Sequence, residues 1–207
     1  IGIHFRNYNL GWYSFDYNGL EIISHDGSMP GFISNVTLIP EKNLSIIILN
    51  NGFNFYSNDV LLYSIIDIIT DHYTHDWVEY FLEKEQEYKQ YEQDLYSKRI
   101  EEREKETQPT IDLIKFTGEY TDKMYGNAKV SYENNELYLV LEPTKKIFSG
   151  KLEHWDNNNF KVQFKDPFLP FGIIRFDLNK NSNVQGFKID LPSNDFHFEN
   201  LNFEKLK

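Results

Sequence analysis

The sequence predicts an α+β chain: an antiparallel sheet with a helix, then a long linker helix, then an all-β, barrel-like region. Three observations carry this expectation. Residues 1–52 read as antiparallel strands, with residues 10–17 alternating at period two and Asn18-Gly19 giving a strong two-residue hairpin signal. Residues 76–107 are crowded with Glu, Lys, Gln and Arg around aromatic and aliphatic residues at helical spacings. From residue 111 onward, short alternating runs recur between asparagine-rich turns. A length of 207 residues leaves room for one large domain or two small ones. The changes of character divide the chain into 1–75, 76–108 and 109–207.

Residues 10–17 alternate and carry Trp12, Tyr13, Phe15 and Tyr17. Asn18-Gly19 suits a type I′ turn, because both positions of that turn need φ > 0. Residues 19–24 form the return strand and deliver His25 at its end. Residues 33–39 form a third strand, closed by Pro40-Glu41-Lys42-Asn43. Residues 44–49 are nearly all apolar, as expected of a strand buried on both faces, and Asn50-Asn51-Gly52 ends it. This is a meander of four strands. Residues 59–70 then read as a helix, with Val60, Leu61, Leu62, Ile65, Ile66, Ile68 and Ile69 giving a wide apolar face. Ser57 or Asn58 is its expected cap.

In the charged stretch, Trp77, Phe81, Tyr88, Tyr91, Leu95 and Ile100 form one stripe, and Gln108-Pro109 ends the helix. Glu85–Lys89, Asp94–Lys98 and Glu101–Lys105 are expected i,i+4 pairs. A coiled coil between two copies is disfavoured by Lys84 and Lys98, which break the heptad. Beyond it, Leu137, Leu139 and Leu141 alternate, as do Phe160, Val162 and Phe164, then Ile174, Phe176 and Leu178, then Phe187, Ile189 and Leu191. Phe196, Phe198, Leu201 and Phe203 close the set. About eight short strands suggest a small barrel or sandwich with an aromatic interior. That interior is either a filled core or a ligand cup of the lipocalin-like kind. Eight strands are just wide enough for side chains to fill, which favours the core.

Bulk properties exclude several classes. A net charge of −11 argues against a nucleic-acid partner. With no cysteine there is neither a disulfide framework nor a Cys-based zinc site. No apolar run approaches the ~20 residues that span a bilayer, and no signal peptide is evident. The chain begins at Ile1, without Met, directly before a strand, which reads as a chain whose beginning is missing. His72 and His75 with Asp71 and Asp76 invite a metal reading, but no third-ligand pattern accompanies them. His4, His154 and His197 share no spacing. No cofactor is indicated. Asn35-Val36-Thr37 and Asn43-Leu44-Ser45 match the glycosylation sequon by pattern alone.

The chemistry-bearing stretch is His25-Asp26-Gly27-Ser28-Met29-Pro30-Gly31-Phe32. Two glycines and a proline in eight residues call for unusual dihedrals or very close approach. A histidine followed at once by glycine sets an ionisable group beside exposed backbone N–H groups, a place able to hold a substrate carbonyl or carboxylate. The plainer reading is a tight turn with a solvated histidine.

Gly11-Trp12-Tyr13, then His25-Asp26-Gly27, Pro30-Gly31-Phe32 and the strands through Asn51 resemble, in this order, the C-terminal end of the penicillin-recognising serine hydrolases. That group comprises class C β-lactamases, D-alanyl-D-alanine peptidases and related esterases. The resemblance covers roughly residues 8–75, so this part looks like a partial β-lactamase-like domain. Phe116-x-Gly118-x-Tyr120, Leu137-Tyr138-Leu139, Glu153-His154-Trp155, Phe160 and Asp166-Pro167 resemble the small β-domain of unknown function often fused to such hydrolases. Trp77 fits the same joined arrangement.

The resemblance implies a catalytic role for His25, Gly27 and Ser28. His25 lies near the substrate carboxylate or a tyrosine oxygen, Gly27 lets the substrate backbone lie against the strand, and the Ser28 N–H is an oxyanion-hole donor. Asp26, Met29 and Gly31 are the implied substrate-binding residues. Asp26 departs from the Thr or Ser of better-known members and leaves room for an esterase. The family places its nucleophile in Ser-x-x-Lys, and no serine here has that spacing. Tyr56-Ser57-Asn58 spells the family's Tyr-x-Asn, but on the wrong side of the histidine strand. The implied partner is therefore an N-terminal half of the same protein, with a small-molecule or peptide substrate and a periplasmic or extracellular setting. The 207 residues alone are expected to be inactive. Self-association through an uncovered sheet edge is also expected. The alternative is a non-catalytic β-domain that holds a ligand or peptide, with the first 75 residues as a docking sheet.

Overall fold

Two tight turns with left-handed backbone organise the first sheet. In the computed structural model, Asn18 and Gly19 take φ of 50° and 74°, and Leu10 and Gly11 take 52° and 81°. Each pair joins two antiparallel strands whose right-handed twist such turns match. The structure describes all residues except Ile1, Gly2, Pro30, Phe53, Phe55, Thr74, Pro167, Asn194, Asp195 and Lys207. Its chain divides into two units, Ile1–Ser97 and Lys98–Lys207.

The first unit holds a five-stranded antiparallel sheet in the order β1 (Arg6–Asn9), β2 (Trp12–Tyr17), β3 (Leu20–Met29), β4 (Phe32–Ile39) and β5 (Leu44–Asn50). Five strands replace the expected four. The additional one, Arg-Asn-Tyr-Asn, is fully exposed and carries no apolar alternation. The third strand does not stop before His25. It runs on to Met29, because every residue from Ile23 to Met29 pairs with β4. Expectation also fails for β5, which is buried on one face only: Ile46 is 7% exposed, whereas Ile47 and Leu49 are 64% and 79% exposed.

Two helices follow, α1 (Tyr56–Thr70) and α2 (Trp77–Glu101). Neither Ser57 nor Asn58 caps α1, since both lie inside it. Asn54 takes that role, accepting the Tyr56 N–H at 3.0 Å. Asp76 caps α2 by accepting the N–H groups of Val78 and Glu79 at 3.0 and 3.1 Å. The second helix ends at Glu101, several residues before Gln108-Pro109. Of the expected pairs, Glu85–Lys89 forms at 2.6 Å, and Lys98 turns instead toward Glu102.

Leu62, Tyr63 and Ile66 of α1, with Trp77 and Phe81 of α2, pack on Phe15, Tyr17, Leu20, Ile22, Ile39 and Ile46 of the sheet. Buried within this core, Asp67 accepts bonds from the Tyr17 hydroxyl at 2.7 Å, the Trp77 indole N–H at 2.7 Å and the Asn18 amide at 3.1 Å. Three donors offset the desolvation of that carboxylate and tie both helices to the β2–β3 hairpin.

The second unit is a closed eight-stranded barrel. Its strands are β6 (Gly118–Asp122), β7 (Gly126–Glu133), β8 (Glu136–Leu141), β9 (Ser149–Asp156), β10 (Asn159–Val162), β11 (Gly172–Leu178), β12 (Val184–Asp190) and β13 (Phe203–Lys205). β13 closes the ring by pairing with both β12 and β6. Phe198 sits in a short 3₁₀ turn before β13 rather than in a strand, yet is buried. Asn134 and Asn135, both at positive φ, form the turn between β7 and β8, because asparagine tolerates that conformation better than most residues.

Inside the barrel, Phe116, Tyr120, Phe160, Phe176, Phe187 and Phe203 meet ring to ring, with Phe187 and Phe203 stacked at 4.7 Å. Each fully buried aromatic stabilises by roughly 1.5–3 kcal/mol, and together the rings fill the interior. The interior is the filled core that eight strands favour, not a ligand cup.

Candidate functional site at the His25 strand edge

Strand alternation divides the nominated residues between two faces. His25, Gly27 and Met29 point one way, and Asp26 and Ser28 the other. Register with β4 and β5 then builds rows across the sheet. On the face away from the helices run His25–Val36–Ile47 and Gly27–Ser34–Leu49, flanked by Met29–Phe32. On the helix face run Ser24–Thr37–Ile46 and Asp26–Asn35–Ile48. The ladder between β2 and β3 ends at Tyr13–Ser24, so among the described residues 25–29 have a ladder neighbour only in β4. Beside His25 the strand therefore presents an open edge, whose backbone groups have no strand partner on that side among the described residues.

His25 itself is exposed but not loose. Its Nδ1 lies 2.6 Å from the Asp26 carbonyl oxygen and its Nε2 lies 3.4 Å from the Tyr8 hydroxyl. The Tyr13 ring stacks at 6.0 Å and the Trp12 ring meets it edge-on at 6.5 Å. Gly27 is a site of close approach: a Cβ there would lie 2.6 Å from the Ser34 hydroxyl on the same face. Met29 and Phe32 are 71% and 66% exposed, which makes this end of the face apolar. Gly31 takes φ of 87° in the turn to β4, and Pro30 lies outside the described residues.

Behind the strand, the helix face is polar. The Asn35 amide donates to Asp26 at 2.5 Å and to the Ser24 hydroxyl at 3.1 Å, while the Thr37 hydroxyl donates to Asn35 Oδ1 at 2.8 Å. Asn35 is 2% exposed with both ends of its amide engaged, so its sequon is closed to a glycan. On α1, burial and the nearby Asp26 charge push the Asp59 carboxyl up to about 6, against a smaller opposing effect of Arg6. The structure thus brings His25 together with Gly27 and Met29, and sets Asp26 among buried amides and hydroxyls.

Tyr8, Trp12 and Tyr13 belong to this site as neighbours of His25, and the sequence did not nominate them for it. Tyr8 sits in a short polar strand whose only signal was Gly11 after an unremarkable leucine. Tyr56-Ser57-Asn58 forms the first turn of α1. Among the described residues there is no group of three metal-ligating side chains.

A family model described as a domain of unknown function, DUF3471, matches residues 102–205. Among curated proteins, the unguisins hydrolase ungD of Aspergillus violaceofuscus is 32% identical over 62 residues, 29% of this chain and 11% of that protein. The unguisins hydrolase ungD' of Aspergillus campestris is 28% identical over 142 residues, 63% of this chain and 26% of that protein. The chain therefore spans about a quarter or less of the length of these relatives. Among solved structures, SurE with D-Leu gives a TM-score of 0.37 at 13% identity, covering 97% of this chain and 39% of that one. An octameric penicillin-binding protein homologue from Pyrococcus abyssi gives 0.30 at 15% identity, covering 97% and 37%. These scores are too low to assign a fold.

Proposed function

Given that this chain belongs to the DUF3471 family, we propose that it is the C-terminal part of a serine hydrolase, carrying one wall of the active site and an accessory β-barrel. The family match and the hydrolase-named relatives support a distant serine-hydrolase relationship. The observation that carries the finer reading is the open edge of β3 beside a held imidazole. An extended substrate amide or ester lies along that edge, over Gly27, where a side chain would intrude. Backbone there, the Ser28 N–H above all, donates to the carbonyl oxygen as charge develops on it. His25 serves proton transfer, Met29 and Gly31 border the substrate, and Asp26 borders it through its backbone while its carboxylate faces Asn35 on the other side of the sheet. An apolar rather than acidic surround favours ester or amide substrates without a terminal carboxylate.

With no Ser-x-x-Lys, the 207 residues form no acyl-enzyme on their own. The test compares this chain with the polypeptide read from further upstream in the same gene, using a nitrophenyl ester and a fluorescent penicillin. The expected result is inactivity of the short chain, a covalent serine adduct on the longer one, and a loss of about 10²-fold in kcat/KM on His25→Ala. A stoichiometric adduct on the short chain overturns the reading, as does a longer chain without Ser-x-x-Lys or activity.

A further inference from the structure

The contacts of His25 determine which of its nitrogens is free, and they point to a residue outside the histidine strand. A carbonyl oxygen only accepts hydrogen bonds, so the 2.6 Å contact to the Asp26 carbonyl requires the proton on Nδ1. Neutral His25 then carries its lone pair on Nε2, the nitrogen facing the Tyr8 hydroxyl at 3.4 Å. In this state Tyr8 donates. When Nε2 gains a proton, the same hydroxyl accepts, since a phenol does both. Phenylalanine in that place would do neither.

We propose that Tyr8 is the positioning residue of His25, so that the hairpin of β1 and β2 is part of the site. The hairpin geometry supports it. Tyr8 pairs directly with Tyr13 across the Leu10-Gly11 turn, and their rings lie 4.6 Å apart. Tyr13 in turn stacks on the imidazole, and Tyr8 approaches it at 6.0 Å between ring centres. The imidazole is thus held by the backbone on one nitrogen, a hydroxyl on the other and aromatic rings around it. This arrangement fixes the tautomer that a proton-transfer group at the strand edge must present. The inference rests on the hydrolase reading for its purpose, but not for its test.

The experiment is nitrogen-15 NMR of the histidine ring in the full 207-residue chain, with the rate of diethyl pyrocarbonate modification at His25 as a second readout. Wild type is expected to show the Nδ1–H tautomer when neutral. In Tyr8→Phe the Nε2 resonance moves to the position of an unbonded ring nitrogen, and modification is about fivefold faster, the worth of an ordinary hydrogen bond. Tyr13→Phe, which keeps the stacking ring, leaves both readouts unchanged. An Nε2–H tautomer in wild type overturns the proposal without any variant. So does a folded Tyr8→Phe chain whose Nε2 signal and modification rate match wild type. Either failure removes Tyr8 and leaves the hydrolase reading to the acylation test above.

Discussion

Asp59 shows how one side chain can make the stability of this sheet depend on pH. Burial and the charge of Asp26 raise its folded-state carboxyl from 3.8 to about 6. The folded chain therefore holds this proton more tightly than the unfolded chain does. The resulting stability is complete below about pH 4 and is lost as pH rises through about 6. The shift corresponds to about 3 kcal/mol across that window. Asp59→Asn is expected to raise stability at pH 7 by about this amount and to flatten the slope between pH 4 and 6, as urea unfolding across pH would show. A variant with an unchanged slope would rule Asp59 out. Leu10, at φ of 52° and wholly exposed, is a different residue-scale case. It stands where asparagine or glycine is usual, and for that reason the turn before Trp12 was hidden in the sequence.

At the scale of elements, the end of α2 belongs with the barrel. The Arg99 guanidinium lies 4.7 Å from the Phe171 ring centre and donates to the Phe171 and Asp190 carbonyl oxygens, each at 3.0 Å. Arg103 lies 4.8 Å from the Trp155 ring centre and donates to the Trp155 carbonyl oxygen at 2.6 Å. Beneath them Trp155, Phe171 and Ile173 form a small cluster of their own. A barrel fragment of residues 98–207 is expected to be more stable than one of 109–207 by about 3 kcal/mol, from lost cation–π contacts and charged hydrogen bonds. Urea midpoints of the two fragments measure this, and equal midpoints would refute it. The sequence showed a helix here, but two arginines in a charged helix read as solvated until their carbonyl partners, more than 50 residues away, are in place.

For the whole molecule, the sheet face opposite the helices carries exposed apolar side chains. Met29, Phe32, Ile47 and Leu49 are all exposed there. We propose that this face drives self-association of the 207-residue chain, with light scattering showing mass rising with concentration and Leu49→Lys returning the chain toward a monomer. A wild-type monomer at every concentration would end that proposal.

The periodicities of the chain determined most of its elements on their own: the Asn18-Gly19 hairpin, the apolar strands and helices, and the alternating runs of the barrel. Those features depend on neighbours a few residues apart, which the sequence displays directly. The continuation of β3 through His25, the Asp26–Asn35 and Asp59 environment, and the approach of Tyr8 to the imidazole were decided only by tertiary structure. Each depends on cross-strand register or on burial between sheet and helix, and those bring together residues whose separation along the chain carries no local signal.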